Sequence, residues 1–109
     1  MALEGNDADT PAGASHQRLE ERKRVDLEGP TLRVASGLTE AVKLHDVSSR
    51  GFRVDWPHKL ASGDQVWLKL PGMDALSARV AWELDLMIGC QFDVALRPAV
   101  FAKIVNRTR

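Results

Sequence analysis

The sequence predicts an all-β domain: a six-stranded antiparallel β-barrel with a short C-terminal α-helix and a flexible N-terminal tail. Three observations carry that prediction. Between Thr31 and Val94, apolar residues alternate with a period of two in about six short runs, each bounded by Gly, Pro, Ser or Asp. After Arg97-Pro98 the period changes, and Val100, Phe101, Ile104 and Val105 recur at three- and four-residue spacing. Residues 1–15 show no period at all. Short strands at this spacing suit a small sandwich or barrel. The barrel is the expected solution because closure removes exposed edges, while the helix covers leftover apolar surface.

The elements follow in order. Residues 1–15, MALEGNDADTPAGAS, read as a disordered tail ahead of a domain spanning 16–109. The next stretch, HQRLEERKRVDLEGP, is dense in charge; it could begin as a helical turn, and Gly29-Pro30 is expected to stop any regular element there. Leu32 and Val34 alternate with Thr31 and Arg33 as a first strand reaching about Ala35, turned by Ser36-Gly37. From Thr39 to Val47, Ala41, Lys43 and His45 fall on one side and Val42, Leu44 and Asp46 on the other. From Gly51, Phe52, Val54 and Trp56 share a face until Pro57 ends the run. After Ser62-Gly63-Asp64, Val66, Leu68 and Leu70 point inward, with Trp67 and Lys69 opposite, and Pro71-Gly72 turns the chain again. Leu76 to Leu84 groups Ala78, Val80 and Trp82, and Leu86 to Val94 groups Ile88, Cys90, Phe92 and Val94. Pro98 is tolerated in the first turn of the closing helix.

A chain of 109 residues has room for one modest core and hence one domain. Lys plus Arg and Asp plus Glu number 15 each, so bulk charge argues for neither a nucleic-acid nor a membrane partner. No apolar run is long enough to span a bilayer, and the N-terminal residues lack the basic-then-apolar order of a signal; the expected location is cytoplasmic. Cys90 is the sole cysteine, which precludes an intrachain disulfide, and its alternation with Ile88 and Phe92 marks a buried structural thiol.

Catalytic chemistry finds no constellation here. His45, Asp46 and Ser48 are the right types for a nucleophile relay, but on a strand His45 and Asp46 point to opposite faces. His16, His45 and His58 have no metal-ligand spacing, and a single thiol does not supply a zinc site. No glycine-rich phosphate loop runs from strand to helix. Glu83 and Asp85 flank a turn as solvated hairpin charges. The chain therefore reads as a protein without catalytic residues, metal or cofactor. Trp56, Trp67 and Trp82 could stack bases, but Trp56 and Trp82 fall in phase with core positions, which weakens a nucleic-acid reading.

Two spaced motifs remain. Arg18-Leu-Glu-Glu-Arg22 fits RxxxR, and Asp46-Val-Ser48-Ser-Arg-Gly51 fits (D/N)xSxxG at the rim of the hairpin formed by the second and third runs. Further on, SARVAW followed by IGCQFD looks like a closing strand pair. In this order and separation, over roughly Gln17 to Asp93, the chain resembles the PilZ domain family. The resemblance implies a six-stranded barrel that binds the bacterial second messenger cyclic di-GMP and relays it, without catalysis, to a protein effector. It also implies the ligand residues: Arg18 and Arg22 on a clamp segment, 16–24, that orders over the ligand, with Asp46, Ser48 and Gly51 as the opposite wall. The chemistry is reasonable, since arginine's fork matches phosphate oxygens and guanine's O6/N7 edge, and a carboxylate accepts from guanine N1–H and N2–H. Alternatives stay open on the residues themselves. Asp46 and Ser48 could cap a turn in which Gly51 supplies a positive φ. Arg24 could stand in for Arg22, leaving Glu20 in the first slot. The domain could also be a degenerate adaptor acting through protein contacts without the nucleotide.

Overall fold

The computed structural model describes residues 22–107. The tail 1–15 and the expected clamp residues ahead of Arg22, Arg18 included, lie outside the described residues. Among the described residues, six strands, β1 (Lys23–Val34), β2 (Thr39–Val47), β3 (Gly51–Asp55), β4 (Gln65–Lys69), β5 (Leu76–Leu84) and β6 (Met87–Phe92), precede one helix, α1 (Pro98–Asn106). All neighbouring strands are antiparallel, and they close into a barrel in the order β1-β2-β3-β6-β5-β4. The six-stranded barrel and its C-terminal helix match the expectation.

The alternation does the packing. Leu32 and Val34 from β1, Val42 and Leu44 from β2, Phe52 and Val54 from β3, Val66 and Leu68 from β4, Ala78 and Val80 from β5, and Ile88, Cys90 and Phe92 from β6 form one buried cluster with Trp56. Each fully buried Leu, Ile, Val or Phe contributes roughly 1.5–3 kcal/mol relative to exposure. Phe52 and Phe92 meet with ring centroids 5.1 Å apart, tying β3 to β6 from inside. Ile104 of α1 is fully buried in the same cluster, with Val100, Phe101 and Val105 packed against it, as the helical spacing required. Pro98 sits in the helix's first turn.

Three departures from the sequence expectation stand out, the first two at places where a ladder slips. Gly29-Pro30 does not stop the chain: β1 runs through it from Lys23, paired with β2 along its length and with β4 over Thr31 to Val34. The ladder to β2 slips between Arg24 and Leu27 and again between Glu28 and Thr31. Gly29 takes a φ of 113° at the second slip, and Pro30 is buried there, where no ladder N–H is needed. A bent strand can then serve two neighbours and close the barrel. Trp82, expected on the core face of β5, is 41% exposed, because the β5–β6 register shifts between Val80 and Trp82 and turns the indole outward. Val94 lies beyond the end of β6 and is exposed rather than in the core.

The β5–β6 connection is a two-residue turn in which both central residues are left-handed, Asp85 at φ 53° and Leu86 at φ 63°. That geometry matches the strand twist but suits Asn-Gly or Asp-Gly; for leucine it costs about 1–2 kcal/mol. The Leu86 carbonyl accepts the Trp56 N–H at 2.9 Å, which holds the turn in place.

Candidate functional site

The second and third strands meet at Val47-Ser48-Ser49-Arg50-Gly51, a turn that explains its own polar residues. Ser48 is fully buried, and its Oγ accepts the N–H groups of Arg50 and Gly51, both at 3.1 Å. The Ser48 N–H in turn donates to the Gly51 carbonyl at 2.8 Å. Gly51 does not have a positive φ. It is needed for closeness: a Cβ there would lie 2.2 Å from the Cys90 carbonyl oxygen across the β3–β6 ladder. Ser48 and Gly51 therefore build the turn. Of the two, only Gly51 lines the neighbouring cavity.

Asp46 is the electrostatic centre. Its carboxylate is nearly buried, yet two arginines reach it from either side. Arg22 Nη1 donates to Oδ1 at 2.5 Å, and Arg53 Nε donates to Oδ2 at 2.6 Å, with Arg53 Nη2 close to the same oxygen. Arg22 and Arg53 remain about half-exposed, so each guanidinium has one edge on Asp46 and another toward solvent. Arg24, the alternative partner, turns elsewhere: its Nε donates to Asp26 Oδ2 at 2.9 Å on the outer surface. That hydrogen bond holds Arg24 above its ordinary range and the Asp26 carboxyl below its own.

Arg53 was missed by sequence reasoning for a physical reason. Strict alternation places Arg53 opposite Phe52 and Val54, away from the core, and Asp46 with Val42 and Leu44, toward it. The β2–β3 register shifts between Leu44 and Asp46, so that Asp46 pairs with Arg53 and their side chains meet.

Around these groups lies an open cavity of about 290 Å³, lined by Arg22, Arg50, Gly51, Arg53, Trp82 and Gln91 among others. Its floor is aromatic. Trp82 lies over Gly89, its register partner on β6, so closely that a Cβ on Gly89 would fall 2.2 Å from the indole. Three guanidinium-bearing residues beside a half-exposed indole offer charge-assisted donors and a flat π-face to one ligand. At about 290 Å³ the cavity sits at the low end of small-molecule sites, enough for a base and a phosphate. Cys90 also lines it, but burial pushes its thiol up to about 12, so it carries no nucleophile. Among the described residues, no group of three or more His, Cys, Asp or Glu is placed to hold a metal ion, and no helix is long and apolar enough to cross a membrane.

Comparison with known proteins gives one family and one fold. The model of the PilZ domain family matches residues 16–108. No curated protein matches. Among solved structures, the chain is similar to the PilZ domain of CeSA from a cellulose synthesizing bacterium. The TM-score is 0.54 and the identity 20%, over 80% of this chain and 92% of that one.

Proposed function

The chain belongs to the PilZ domain family, a family of cyclic di-GMP receptor domains, and from that membership and the cavity we propose that it binds cyclic di-GMP as a non-enzymatic receptor. The observation that carries the reading is the convergence of Arg22, Arg50 and Arg53 with the Trp82 indole on one cavity beside Asp46. Cyclic di-GMP presents two phosphate charges and two guanines, and these groups match it part by part. A guanine stacks on Trp82, where base–aromatic contact contributes about 1–3 kcal/mol. Arginine forks take phosphate oxygens or the O6/N7 edge. Asp46 can accept from guanine N–H groups once Arg22 gives up Oδ1. The cavity holds part of the dinucleotide, and the remainder lies over the strand surface toward the residues preceding Arg22. Arg18, four positions upstream, is proposed as the second member of the clamp. Ser48 acts indirectly, by fixing the turn that carries Arg50 and Gly51.

Calorimetric titration with cyclic di-GMP, using GTP as control, tests the reading. Arg22→Ala and Arg18→Ala should each weaken binding by about ten- to a hundredfold, since hydrogen bonds to charged groups contribute roughly 1.5–3 kcal/mol. A second reading has one observation in its favour: both Asp46 oxygens already hold guanidinium groups. If that pairing is permanent, the domain is a degenerate adaptor that works through protein contacts. It then gives no heat with cyclic di-GMP, and the receptor assignment fails.

A further inference from the structure

The β5–β6 tip carries a feature that the nucleotide cavity does not use. Leu84 is 66% exposed and Leu86 67%, at the end of a hairpin whose turn holds Leu86 in the left-handed region. Met87 pairs with Leu84 across the ladder and is half-buried, so the tip offers three neighbouring apolar side chains. Isolated exposed leucines are ordinary. A cluster of them is not, least of all where one occupies a backbone position that asparagine or glycine would take without strain.

Carboxylates surround the cluster. Glu83 and Asp85 flank Leu84 in sequence and are exposed, and Asp55 at the end of β3 pairs with Met87. Lys59 is brought near Glu83 by its neighbour Leu60, whose N–H donates to Glu83 Oε2 at 3.2 Å, and the His45 ring meets Asp55 Oδ1 at 2.6 Å, which leaves Glu83 and Asp85 as the main exposed acids of the rim. An apolar patch rimmed by acids selects against two possible occupants. A second copy meeting the tip through a two-fold axis would set carboxylates against carboxylates. The segment 1–21 brings Glu4, Asp7, Asp9, Glu20 and Glu21 against Arg18 alone, which is the wrong sign.

We infer that the β5–β6 tip is a docking surface for a cationic amphipathic helix of a partner protein. Leu84, Leu86 and Met87 meet its apolar face, and Glu83, Asp85 and Asp55 meet its lysines or arginines. The surface lies two residues along β5 from Trp82, so a docked helix would sit beside the cavity rim.

The test uses a fluorescently labelled leucine–lysine amphipathic helix and the corresponding leucine–glutamate helix, titrated by anisotropy with no cyclic di-GMP present. The leucine–lysine helix should bind saturably and the leucine–glutamate helix should not. Leu84→Thr and Leu86→Asn should each weaken binding by about tenfold, the effect of losing one anchor residue. Leu86→Asn should also melt no lower than the unmodified chain, because asparagine accepts the left-handed turn; lost binding is then not lost folding. The inference is overturned by unchanged affinity in both variants or by equal binding of the leucine–glutamate helix. Dimerisation in sedimentation that Leu84→Thr abolishes would overturn it too. Because no nucleotide is present and neither leucine lines the cavity, failure here leaves the receptor reading untouched, and the reverse also holds.

Discussion

Gly51 and Gly89 both lie against atoms that leave no room for a methyl group, yet alanine at the two positions should have opposite consequences. At either position a Cβ would sit 2.2 Å from its nearest neighbour, more than an ångström inside ordinary contact, which begins at 3.4 Å. For Gly51 that neighbour is the Cys90 carbonyl oxygen, part of the β3–β6 ladder that also pairs Phe52 with Cys90. The oxygen cannot retreat without parting two strands that are held about 4.8 Å apart by their hydrogen bonds. Overpacking against fixed backbone costs about 1–3 kcal/mol, and this site belongs at the upper end. At 4–8 °C per kcal/mol for a domain this small, Gly51→Ala should lower Tm by about 10–20 °C. For Gly89 the neighbour is the edge of the Trp82 indole, which is 41% exposed and can swing into solvent. Gly89→Ala should therefore cost under about 1 kcal/mol of stability, within the range of surface changes. It removes the flat floor of the cavity, and with it about 1–3 kcal/mol of base stacking, equivalent to roughly five- to 150-fold in affinity for cyclic di-GMP. Thermal denaturation and calorimetry on both variants separate the two effects. The reasoning is refuted if Gly51→Ala melts within a few degrees of the unmodified chain, or if Gly89→Ala loses as much stability as Gly51→Ala.

Two further outcomes concern groups given no part in ligand binding. Burial raises Cys90 from an ordinary 9.0 to about 12, so the folded protein favours the protonated thiol; the associated stability is complete below pH 9.0 and is lost as the pH rises toward 12. At neutral pH the thiol should resist alkylation until denaturant is added, and rapid alkylation of the folded chain would contradict its placement in the core. Asp93 is held below its ordinary 3.8, first by the Gln65 amide at 3.1 Å, then by Ser77 and Arg79. Its contribution is present above pH 3.8 and is lost as the pH falls below that value, so an Asp93→Asn variant should melt slightly lower than the unmodified chain at neutral pH and level with it in strong acid. A gap in Tm that persisted in acid would assign the effect to something other than charge.

The fold was legible because burial on one face of a strand writes a period of two into the sequence. Leu32 and Val34, Val66 and Leu68, and Ile88 and Cys90 read as inward-facing residues and are buried. The helix was legible from Val100, Phe101, Ile104 and Val105 in the same way. Part of the site was legible too: RxxxR and (D/N)xSxxG pointed to Arg22 and Asp46, which meet at 2.5 Å. The roles within the second motif were harder to read. Ser48 and Gly51 read as a ligand wall, and both also have structural work: Ser48 Oγ accepts the turn's own N–H groups, and Gly51, which lines the cavity, admits the Cys90 carbonyl.

By itself, then, the sequence determined the number of strands, most of the core, the closing helix, and Arg22 and Asp46 as separate candidates. The tertiary structure decided which side several polar and aromatic residues face, and it did so at places where the ladders slip. The slip before Asp46 brings it to Arg53, the slip before Trp82 lays the indole on Gly89, and the slips around Gly29 carry β1 through a proline. A one-residue slip reverses every side chain beyond it, and it depends on how two distant strands align rather than on the local order of residues. That is why a pattern read along one strand found the barrel and missed half of the cavity in its wall.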